Sequence, residues 1–391
     1  MLEYFPSNYV WNLATNIALS MGGNYGEVWE ICKPLVEISK SGDDTSTVAF
    51  FNAWCGQADR LVELAQEDLE SGCRLSAGSK FGRAATYYLT AERMQHRHFE
   101  PRCEAYRKML QIFARFLELD EQPCERVEIP FAGKTLAGLF MPAGGPAKGK
   151  APCIAFCNGL DSTKEMIYGS RIGHELARRG IATLMVDQPG VGEALRLQNL
   201  HAVVEAETWA GACVDFLERR CDVDANLAGV CGWSLGGFYA PRAAAFEKRL
   251  KVCVAWGANF DWGELQKRRA QREGDRPVPH YWEHVQWVWG KDSFEEFMAF
   301  APRVTLRDSI DKITVPFLIT HGDNDRQIPR EYAVAQYEGA INSPKRELKW
   351  FTHREGGIEH VSADNIGNTR DYIADWIAVT FRELGATQVR V

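Results

Sequence analysis

The chain has 391 residues, of which 46% are apolar, so it can bury a large core and is not expected to be disordered. Its 45 basic and 52 acidic residues give a net charge of −7, which does not favour nucleic-acid binding. No apolar run approaches the length of a membrane span, and the N-terminal segment lacks the basic region of a signal peptide. The eleven cysteines are odd in number and show no C-x-x-C spacing, which favours free thiols in a reducing compartment. We therefore expect a cytoplasmic protein without a nucleic-acid or membrane partner.

The first 122 residues carry apolar side chains at helical spacing and no strand pattern. Breaks rich in Gly, Ser and Asp divide this block into separate helices. The predicted helices span residues 9–21, 26–39, 45–69, 79–94 and 106–119. The pattern predicts an all-helical N-terminal domain over residues 1–122.

After residue 123 the pattern changes to alternating strands and helices. The predicted strands are a hairpin at 126–131 and 135–141, followed by 153–157, 181–186, 227–231, 252–256, 315–320 and 347–351. The predicted helices span 163–179, 202–219, 237–246, 331–339 and 368–384. This alternation predicts an α/β fold over residues 123–391, with a mostly parallel sheet covered by helices on both faces. A charged, Trp-rich insertion at about 261–308 interrupts it, and we expect the insertion to help cover a pocket at the strand ends.

Between a predicted strand and a predicted helix lies Gly232-Trp233-Ser234-Leu235-Gly236, which fits the pattern G-x-S-x-G. A tight strand-to-helix turn needs small residues two positions before and after the serine, and glycines stand at both places. A Gly-rich turn whose serine only caps the helix is the alternative. The strand before and the helix after favour a nucleophile elbow that exposes the Ser234 hydroxyl.

A serine hydroxyl needs a histidine to accept its proton and a carboxylate to orient that histidine. Asp325 follows the strand at 315–320, and we prefer it to Asp323, which lies in a tight turn where a carboxylate commonly bonds local backbone. His360 follows the last strand in a Gly-rich loop and is the preferred histidine. His353 is the second choice, ranked lower because it lies too close to the strand end. The chain order serine, aspartate, histidine is the one expected for such a sheet.

Attack by Ser234 on a carbonyl group would create an oxyanion, which requires backbone donors already in place. The N–H of Leu235, directly after the serine, is one candidate. The N–H of Leu160 is the other, because it follows the strand at 153–157 and Gly159 beside it allows close backbone approach.

Three further features have weaker interpretations. Residues 280–284 read His-Tyr-Trp-Glu-His and fit a zinc pattern, but no third ligand is evident, so we expect cap surface or pocket lining and no metal. Residues 187–192 resemble a Gly-rich phosphate loop but lack its spacing and its lysine, which favours a turn after a core strand. Trp233 and Tyr239 flank the serine, and core packing is their first interpretation, with substrate binding the second.

Three motifs together resemble one group of α/β-hydrolases. They are NGLDSTKE at 158–165, GWSLGGFYAPRAAAFEKR at 232–249 and HGDNDRQIP at 321–329. The group includes FrsA-like proteins, fungal polyketide-shortening pigment hydrolases and 2,6-dihydroxypseudooxynicotine hydrolase, and the resemblance covers essentially the whole chain. It implies a nucleophile at Ser234, an acid at Asp325 and a base at His360. It also implies an N-terminal helical cap domain, a pocket between that cap and the core, and a homodimer.

The resemblance has one more implication, for the loop that carries Leu160. In the pseudooxynicotine hydrolase an acidic residue of this motif assists carbon–carbon cleavage, and Asp161 stands at that place in this chain. That enzyme has a glutamate there, so the aspartate reaches one methylene less far. A cap of the following helix is the alternative role of Asp161.

Two classes of function remain open. The first is a serine hydrolase that acts on a small carbonyl compound through an acyl-enzyme and needs no cofactor. Ester cleavage and carbon–carbon cleavage of a β-diketone or an acyl-phenol both fit, and acyl transfer to an alcohol is a variant on the same residues. The second is a non-catalytic binding or regulatory protein derived from a hydrolase, against which the intact set Ser234, Asp325 and His360 argues.

Overall fold

The structure is a computed structural model that describes residues 1–145, 149–271, 276–386 and 389–391. Its contacts divide it into two compact units. The first comprises Met1–Pro123 with Asp275–His284, and the second comprises Cys124–Gly274 with Val285–Val391. Part of the insertion therefore groups with the N-terminal block. His280 of the insertion makes two of these contacts. Its backbone N–H donates to Asp44 Oδ1 over 2.7 Å, and its imidazole Nε2 lies 3.2 Å from Thr47 Oγ1.

The first unit is helical, as its apolar spacing predicts. Its α-helices are α1 (Tyr9–Ser20), α2 (Tyr25–Cys32), α3 (Thr47–Glu70), α4 (Arg74–Arg93) and α5 (Glu100–Leu119). A core of Ala65, Ala77 and Phe81 joins α3 to α4. Small residues let α5 approach α4 closely, because a Cβ at Gly78 would lie 3.0 Å from the Leu119 Cβ.

Three predicted helix bounds in this unit are wrong. Helix α4 begins several residues before 79, because small residues such as Gly78 face α5 and hide the apolar pattern. Helix α5 begins before 106, with Pro101 in its first turn, where no helical N–H bond is lost. The helix predicted at 26–39 ends at Cys32, since Pro34 follows, and the chain continues as two 3₁₀ turns.

The second unit is built on a sheet that has eight strands among the described residues, in the order β1-β2-β4-β3-β5-β6-β7-β8. The strands are β1 (Glu125–Phe131), β2 (Lys134–Met141), β3 (Ala151–Cys157), β4 (Ala182–Val186), β5 (Val223–Trp233), β6 (Val252–Trp256), β7 (Phe317–Gly322) and β8 (Arg346–Phe351). Strands β1 and β2 form the predicted antiparallel hairpin, β2 pairs antiparallel with β4, and the other neighbours are parallel. The predicted α/β fold with a mostly parallel sheet is confirmed.

The helices of this region follow the strands. They are α6 (Lys164–Gly169), α7 (Ile172–Arg178), α8 (Gly192–Gln198), α9 (Ala206–Glu218), α10 (Gly236–Phe246), α11 (Trp262–Gln271), α12 (Tyr281–Trp289), α13 (Phe294–Phe300), α14 (Arg330–Gly339) and α15 (Ile366–Glu383). Helices α11 to α13 lie in the insertion, of which residues 272–275 are outside the described residues.

The helix predicted at 163–179 is two helices in the structure. The break falls at Arg171, whose φ of 66° ends the α-helical path. The Ser170 hydroxyl supports the break by donating to Ile167 O over 2.6 Å. Helix α8 was not expected, because a glycine opens it and it has only seven residues. Helix α9 begins at Ala206 and not at 202.

The carboxyl ends of the parallel strands lie at one edge of the sheet, where loops from different parts of the chain meet. At this edge α10 is pressed against the loop after β6, because a Cβ at Gly237 would lie 1.7 Å from Gly257 O. No side chain fits between the two backbones.

Substitution of Gly237 tests this contact. We expect Gly237→Ala to lower the free energy of unfolding by about 3 kcal/mol, because the added methyl must push two backbones apart. The matched control is Gly367→Ala in the first turn of α15, where the added Cβ would lie 3.7 Å from Asn365 Oδ1, an ordinary van der Waals distance. It should leave stability unchanged or raise it by about 0.5 kcal/mol. Denaturant unfolding of both variants makes the comparison, and equal stabilities would contradict the close packing.

Candidate active site

The turn between β5 and α10 holds Ser234 in a left-handed conformation with φ of 56°. The adjacent glycines are required by space, since a Cβ at Gly232 would lie 2.4 Å from Gly236 O. The Ser234 N–H donates to Trp256 O over 2.9 Å and fixes the turn to β6. A non-glycine residue in this region costs about 1–3 kcal/mol and persists only where the surroundings enforce it. The backbone therefore has the geometry of the predicted elbow.

The side chains of Ser234, His360 and Asp325 meet in one hydrogen-bonded row. His360 Nε2 lies 2.9 Å from Ser234 Oγ. The other ring nitrogen, Nδ1, lies 3.0 Å from Asp325 Oδ2 and 3.1 Å from Oδ1. The side chains of both His360 and Asp325 are buried. Residues from the loops after β5, β7 and β8 are thus brought together as their order in the chain predicts.

The Asp325 carboxylate is held by its own turn. Its Oδ1 accepts the backbone N–H groups of Gln327 over 2.7 Å and Ile328 over 3.0 Å. Burial by itself raises the pKa of Asp325, but the His360 imidazole and these hydrogen bonds hold that pKa below its usual value. The alternative acid, Asp323, forms an ion pair with Arg330 at 2.9 Å.

The alternative base, His353, lies exposed in the turn that follows β8. As the sequence suggested, His353 lies too close to the end of β8 to serve as the base. The structure brings His360 to the serine, and it places His353 at the protein surface.

A second buried histidine, His321, stands at the end of β7 and was not singled out by the sequence. Its Nδ1 accepts the Ala258 N–H over 3.4 Å, so the ring proton is on Nε2, which donates to Ile328 O over 3.1 Å. Burial holds the pKa of His321 below its usual value, although the nearby Asp325 opposes this. A neutral His321 thereby ties the turn that carries Asp325 to the end of β6. Its position directly before Gly322, at a strand end, was the available sequence signal.

The loop after β3 passes directly beside the serine, because a Cβ at Gly159 would lie 2.9 Å from the Ser234 Cβ. The Ser162 hydroxyl holds this loop. It accepts the Gly159 N–H and the Trp233 Nε1–H, each over 2.9 Å, and donates to Asn158 Oδ1 over 2.8 Å. Trp233, a candidate for substrate binding, is buried and supports this loop through its hydrogen bond to Ser162.

The two candidate oxyanion donors lie on the segments that contact Ser234. Leu235 is the N-cap residue of α10, at the helix end where N–H groups lack acceptors within the helix. Leu160 is buried in the loop directly after Gly159. Asp161 follows it and is also buried. The N-cap position of α6 is held by Thr163, two residues further along the chain than Asp161.

Tyr239, the other candidate for substrate binding, lies in α10 and is only 2% exposed. Its ring makes edge contacts with Phe238 at 5.4 Å and with Trp209 at 6.3 Å between centroids. Burial raises the pKa of its hydroxyl. These contacts are those of a residue packed in the core.

A buried group of charges lies under the loop that carries Leu160. The Lys164 ammonium is within 3.0 Å of carboxylate oxygens of Glu165, Asp187 and Glu193. Asp187 also accepts the backbone N–H groups of Lys164 over 2.8 Å and Glu193 over 3.0 Å. Burial raises the pKa of Asp187 to about 6, although Lys164 opposes this. A Cβ at Gly192 would lie 1.9 Å from the Asp187 carboxyl group, so residues 187–192 form a turn closed around a carboxylate and leave no space for a phosphate.

Within the described part of the chain, no three His, Cys, Asp or Glu side chains are grouped so that they could hold a metal ion. His280 of the zinc-like pattern instead contacts α3 through Thr47, as described above. No described helix combines the length and the apolar character that crossing a membrane requires.

The sheet and the serine turn define an α/β-hydrolase, and residues 154–357 match the alpha/beta hydrolase family. This match covers more than half of the chain, so the chain belongs to that family and is a hydrolase.

The protein is similar to several named hydrolases along most of its length. It is 27% identical over 340 residues to 2,6-dihydropseudooxynicotine hydrolase of Paenarthrobacter nicotinovorans, which covers 86% of this chain and 85% of that protein. It is 26% identical over 379 residues to 20-hydroxy-prefusarin hydrolase of Gibberella moniliformis, covering 88% and 89%. The crystal structure of 2,6-dihydroxy-pseudo-oxynicotine hydrolase superposes with a TM-score of 0.75 at 24% identity, over 96% of this chain and 98% of that one. The group that the three motifs indicated is confirmed.

The buried His321 predicts a pH dependence of stability. Its folded-state pKa is lowered, so below about pH 6.5 the unfolded chain binds a proton that the folded chain does not. The stability from this residue is complete above that pH and is lost as the pH falls, by up to about 1.4 kcal/mol per pH unit. The measurement is denaturant unfolding of wild type and His321→Gln between about pH 7.5 and 5.5. We expect the stability advantage of wild type to shrink as the pH falls, and an advantage independent of pH would contradict the neutral buried histidine.

Proposed function

We propose that the protein is a serine hydrolase that cleaves a small carbonyl compound through an acyl-enzyme on Ser234. The observation that carries this proposal is the hydrogen-bonded row from Ser234 Oγ through His360 to Asp325, with contacts of 2.9 and 3.0 Å. Membership of the alpha/beta hydrolase family supports it. The three residues form a catalytic triad in this proposal.

In the first half-reaction, Ser234 Oγ attacks the carbonyl carbon while His360 Nε2 accepts the hydroxyl proton. Asp325 keeps the Nδ1–H of the imidazole directed away from the serine and stabilises the positive charge that forms. The N–H groups of Leu235 and Leu160 donate to the oxyanion, and loss of one such donor costs roughly 3 kcal/mol of transition-state stabilisation. His360 then returns the proton to the leaving group as the bond to the carbonyl carbon breaks.

In the second half-reaction, water attacks the acyl-enzyme with His360 as the base, and the carboxylic acid leaves as Ser234 regains its proton. An alcohol in place of water would make the same acyl-enzyme an acyltransferase. The three side chains, the two backbone N–H groups and water supply every group in these steps, so the proposed mechanism uses no metal or cofactor.

Carbon–carbon cleavage of a β-diketone or an acyl-phenol is part of this proposal. In that reaction the leaving group is a carbanion, which must receive a proton at carbon. His360 can deliver the proton that it took from Ser234, and Asp161 lies directly after the donor Leu160, on the loop that contacts the serine. The relatives support a small organic substrate, since one is named for a pseudooxynicotine compound and another for a prefusarin.

Three further parts of the proposal come from the resemblance or from composition. We take residues 1–122 as a cap domain, 123–391 as the catalytic domain, and the protein as a homodimer, as in the group it resembles. All eleven cysteines are free thiols, which supports a reducing compartment such as the cytoplasm.

The nucleophile is tested by the time course of p-nitrophenol release from short-chain p-nitrophenyl esters. We expect a burst that corresponds to one acyl group per folded chain, because acylation precedes the slower release of the acid. Ser234→Ala should lose the burst and lower kcat by on the order of 10⁴-fold or more. The control Ser76→Ala, at an exposed position of α4, should behave as wild type. A burst that survives in Ser234→Ala would place the nucleophile elsewhere.

The role of Asp161 separates carbon–carbon cleavage from ester cleavage. We expect Asp161→Asn to lower kcat for a β-diketone by about 100-fold and to affect a p-nitrophenyl ester much less, because p-nitrophenolate leaves without being protonated whereas a carbanion must be protonated at carbon. Asp325→Asn is the control that should slow both reactions, by about 10⁴-fold. Steady-state rates on the two substrates decide the question, and an equal loss on both would remove Asp161 from the protonation step.

A further inference from the structure

The loop that carries His360 is folded around another carboxylate, that of Asp364. Its Oδ2 accepts the backbone N–H groups of Gly357 over 2.9 Å and Ile358 over 3.2 Å. Its Oδ1 accepts the N–H of Glu359 over 2.9 Å. One side chain thus binds three consecutive N–H groups, and these belong to the three residues that directly precede His360.

We infer that Asp364 is a positioning residue, which fixes the backbone before His360 so that the imidazole lies between Ser234 and Asp325. The inference rests on the proposed function, because it assigns a role in the proposed triad. The hydrogen bonds of Asp364 go to backbone N–H groups and not to Ser234 or Asp325, so it acts through the backbone that carries His360.

The conformation of this loop requires such a restraint. Its backbone turns through left-handed conformations on both sides of His360, with φ of 76° at Gly357, 45° at Val361 and 61° at Ser362. Valine and serine rarely adopt these angles without contacts that enforce them. The three hydrogen bonds to Asp364 close the loop between its first left-handed turn and its second.

Two of these residues, Ile358 and Glu359, also connect the histidine loop to the turn that carries Asp325. The Asn324 N–H donates to Ile358 O over 2.9 Å, and its side-chain amide donates to Glu359 Oε1 over 2.9 Å. A Cβ at Gly322 would lie 2.2 Å from Ile358 O, so the two loops are in direct contact. By fixing residues 357–359, Asp364 sets the distance between His360 and Asp325.

Helix capping is the alternative role of an aspartate directly before α15. The structure does not support it, because Asn365 holds the N-cap position and its side chain makes no capping bond. The Asp364 carboxylate instead accepts N–H groups of the loop that precedes the helix.

The test compares Asp364→Asn with wild type and with Asp371→Asn. The asparagine has the shape of aspartate, but its NH₂ group cannot accept an N–H, so at least one of the three bonds is lost. Asp371 lies near Asp364 in the chain, within α15, and pairs with Arg370, and its removal should leave the loop unchanged. Two readouts are used: kcat and KM on the p-nitrophenyl ester, and the low-field proton resonance of the His360 Nδ1–H that is bonded to Asp325.

We expect folded Asp364→Asn to lose kcat by roughly ten- to hundred-fold with little change in KM, because a displaced base affects the reaction more than binding. Its low-field resonance should shift or broaden, whereas Asp371→Asn keeps both properties. A purely structural role would lower the unfolding temperature and leave kcat and the resonance of the folded protein unchanged, and that result would overturn the inference.

The resonance separates this inference from the proposed function. If wild type showed the resonance but cleaved no ester, the proposed function would be in question, and the effect of Asp364→Asn on the resonance would still decide the positioning role. If Asp364→Asn did not fold, Asp364→Glu would replace it, since its longer side chain cannot place both oxygens against the same three N–H groups. A wild-type kcat and resonance in folded Asp364→Glu would contradict the inference, and a loss of both would support it.

Discussion

The left-handed backbone at Ser234 is the constraint on which the rest of the active-site geometry depends. A serine with φ of 56° is unfavourable by itself, and the surrounding backbone holds it there. Gly232 and Gly237 let neighbouring segments approach to distances that no side chain would permit, and the Ser234 N–H is bound to Trp256 O. The stability of the whole sheet therefore supports a strained turn, which exposes one hydroxyl at the edge where the parallel strands end.

The loops around this hydroxyl share one feature. In each, an aspartate carboxylate accepts hydrogen bonds from backbone N–H groups of its own turn or of a neighbouring turn. Asp187 accepts two N–H groups beside the loop after β3, Asp325 accepts two in the turn after β7, and Asp364 accepts three in the loop after β8. In an irregular loop, backbone N–H groups have no helix or sheet carbonyl as an acceptor. One carboxylate can accept hydrogen bonds from several of them at once. These local hydrogen bonds fix the backbone of each loop at this edge. Asp325 has a second role, since its carboxylate is also hydrogen-bonded to His360.

The sequence predicted the α/β fold, and it singled out the three residues that the structure brings into one hydrogen-bonded row, because both depend on local patterns. Strand–helix alternation, a glycine on each side of Ser234 and the chain order of Asp325 and His360 can all be read without coordinates. The sequence did not show the break at Arg171, the supporting role of Trp233 or the grouping of residues near His280 with the helical unit. The contacts of Trp233 and His280 join residues far apart in the chain, and a pattern in one segment does not encode its distant partner. The break at Arg171 is local, but its left-handed backbone leaves no mark on the apolar spacing of the segment. Asp364 was missed for a related reason, since its acceptors lie in an irregular loop that has no period.

The role of Ser234 as a nucleophile is tested by the mass of the folded protein after incubation with a fluorophosphonate, followed by peptide mapping of the adduct. This reagent reacts with a serine whose hydroxyl is activated by a neighbouring base. We expect one adduct per chain, on Ser234, and no adduct when His360 is replaced by alanine. A folded wild-type protein that forms no adduct, or forms it on another residue, would contradict the claim that the row from Ser234 to Asp325 activates a nucleophile.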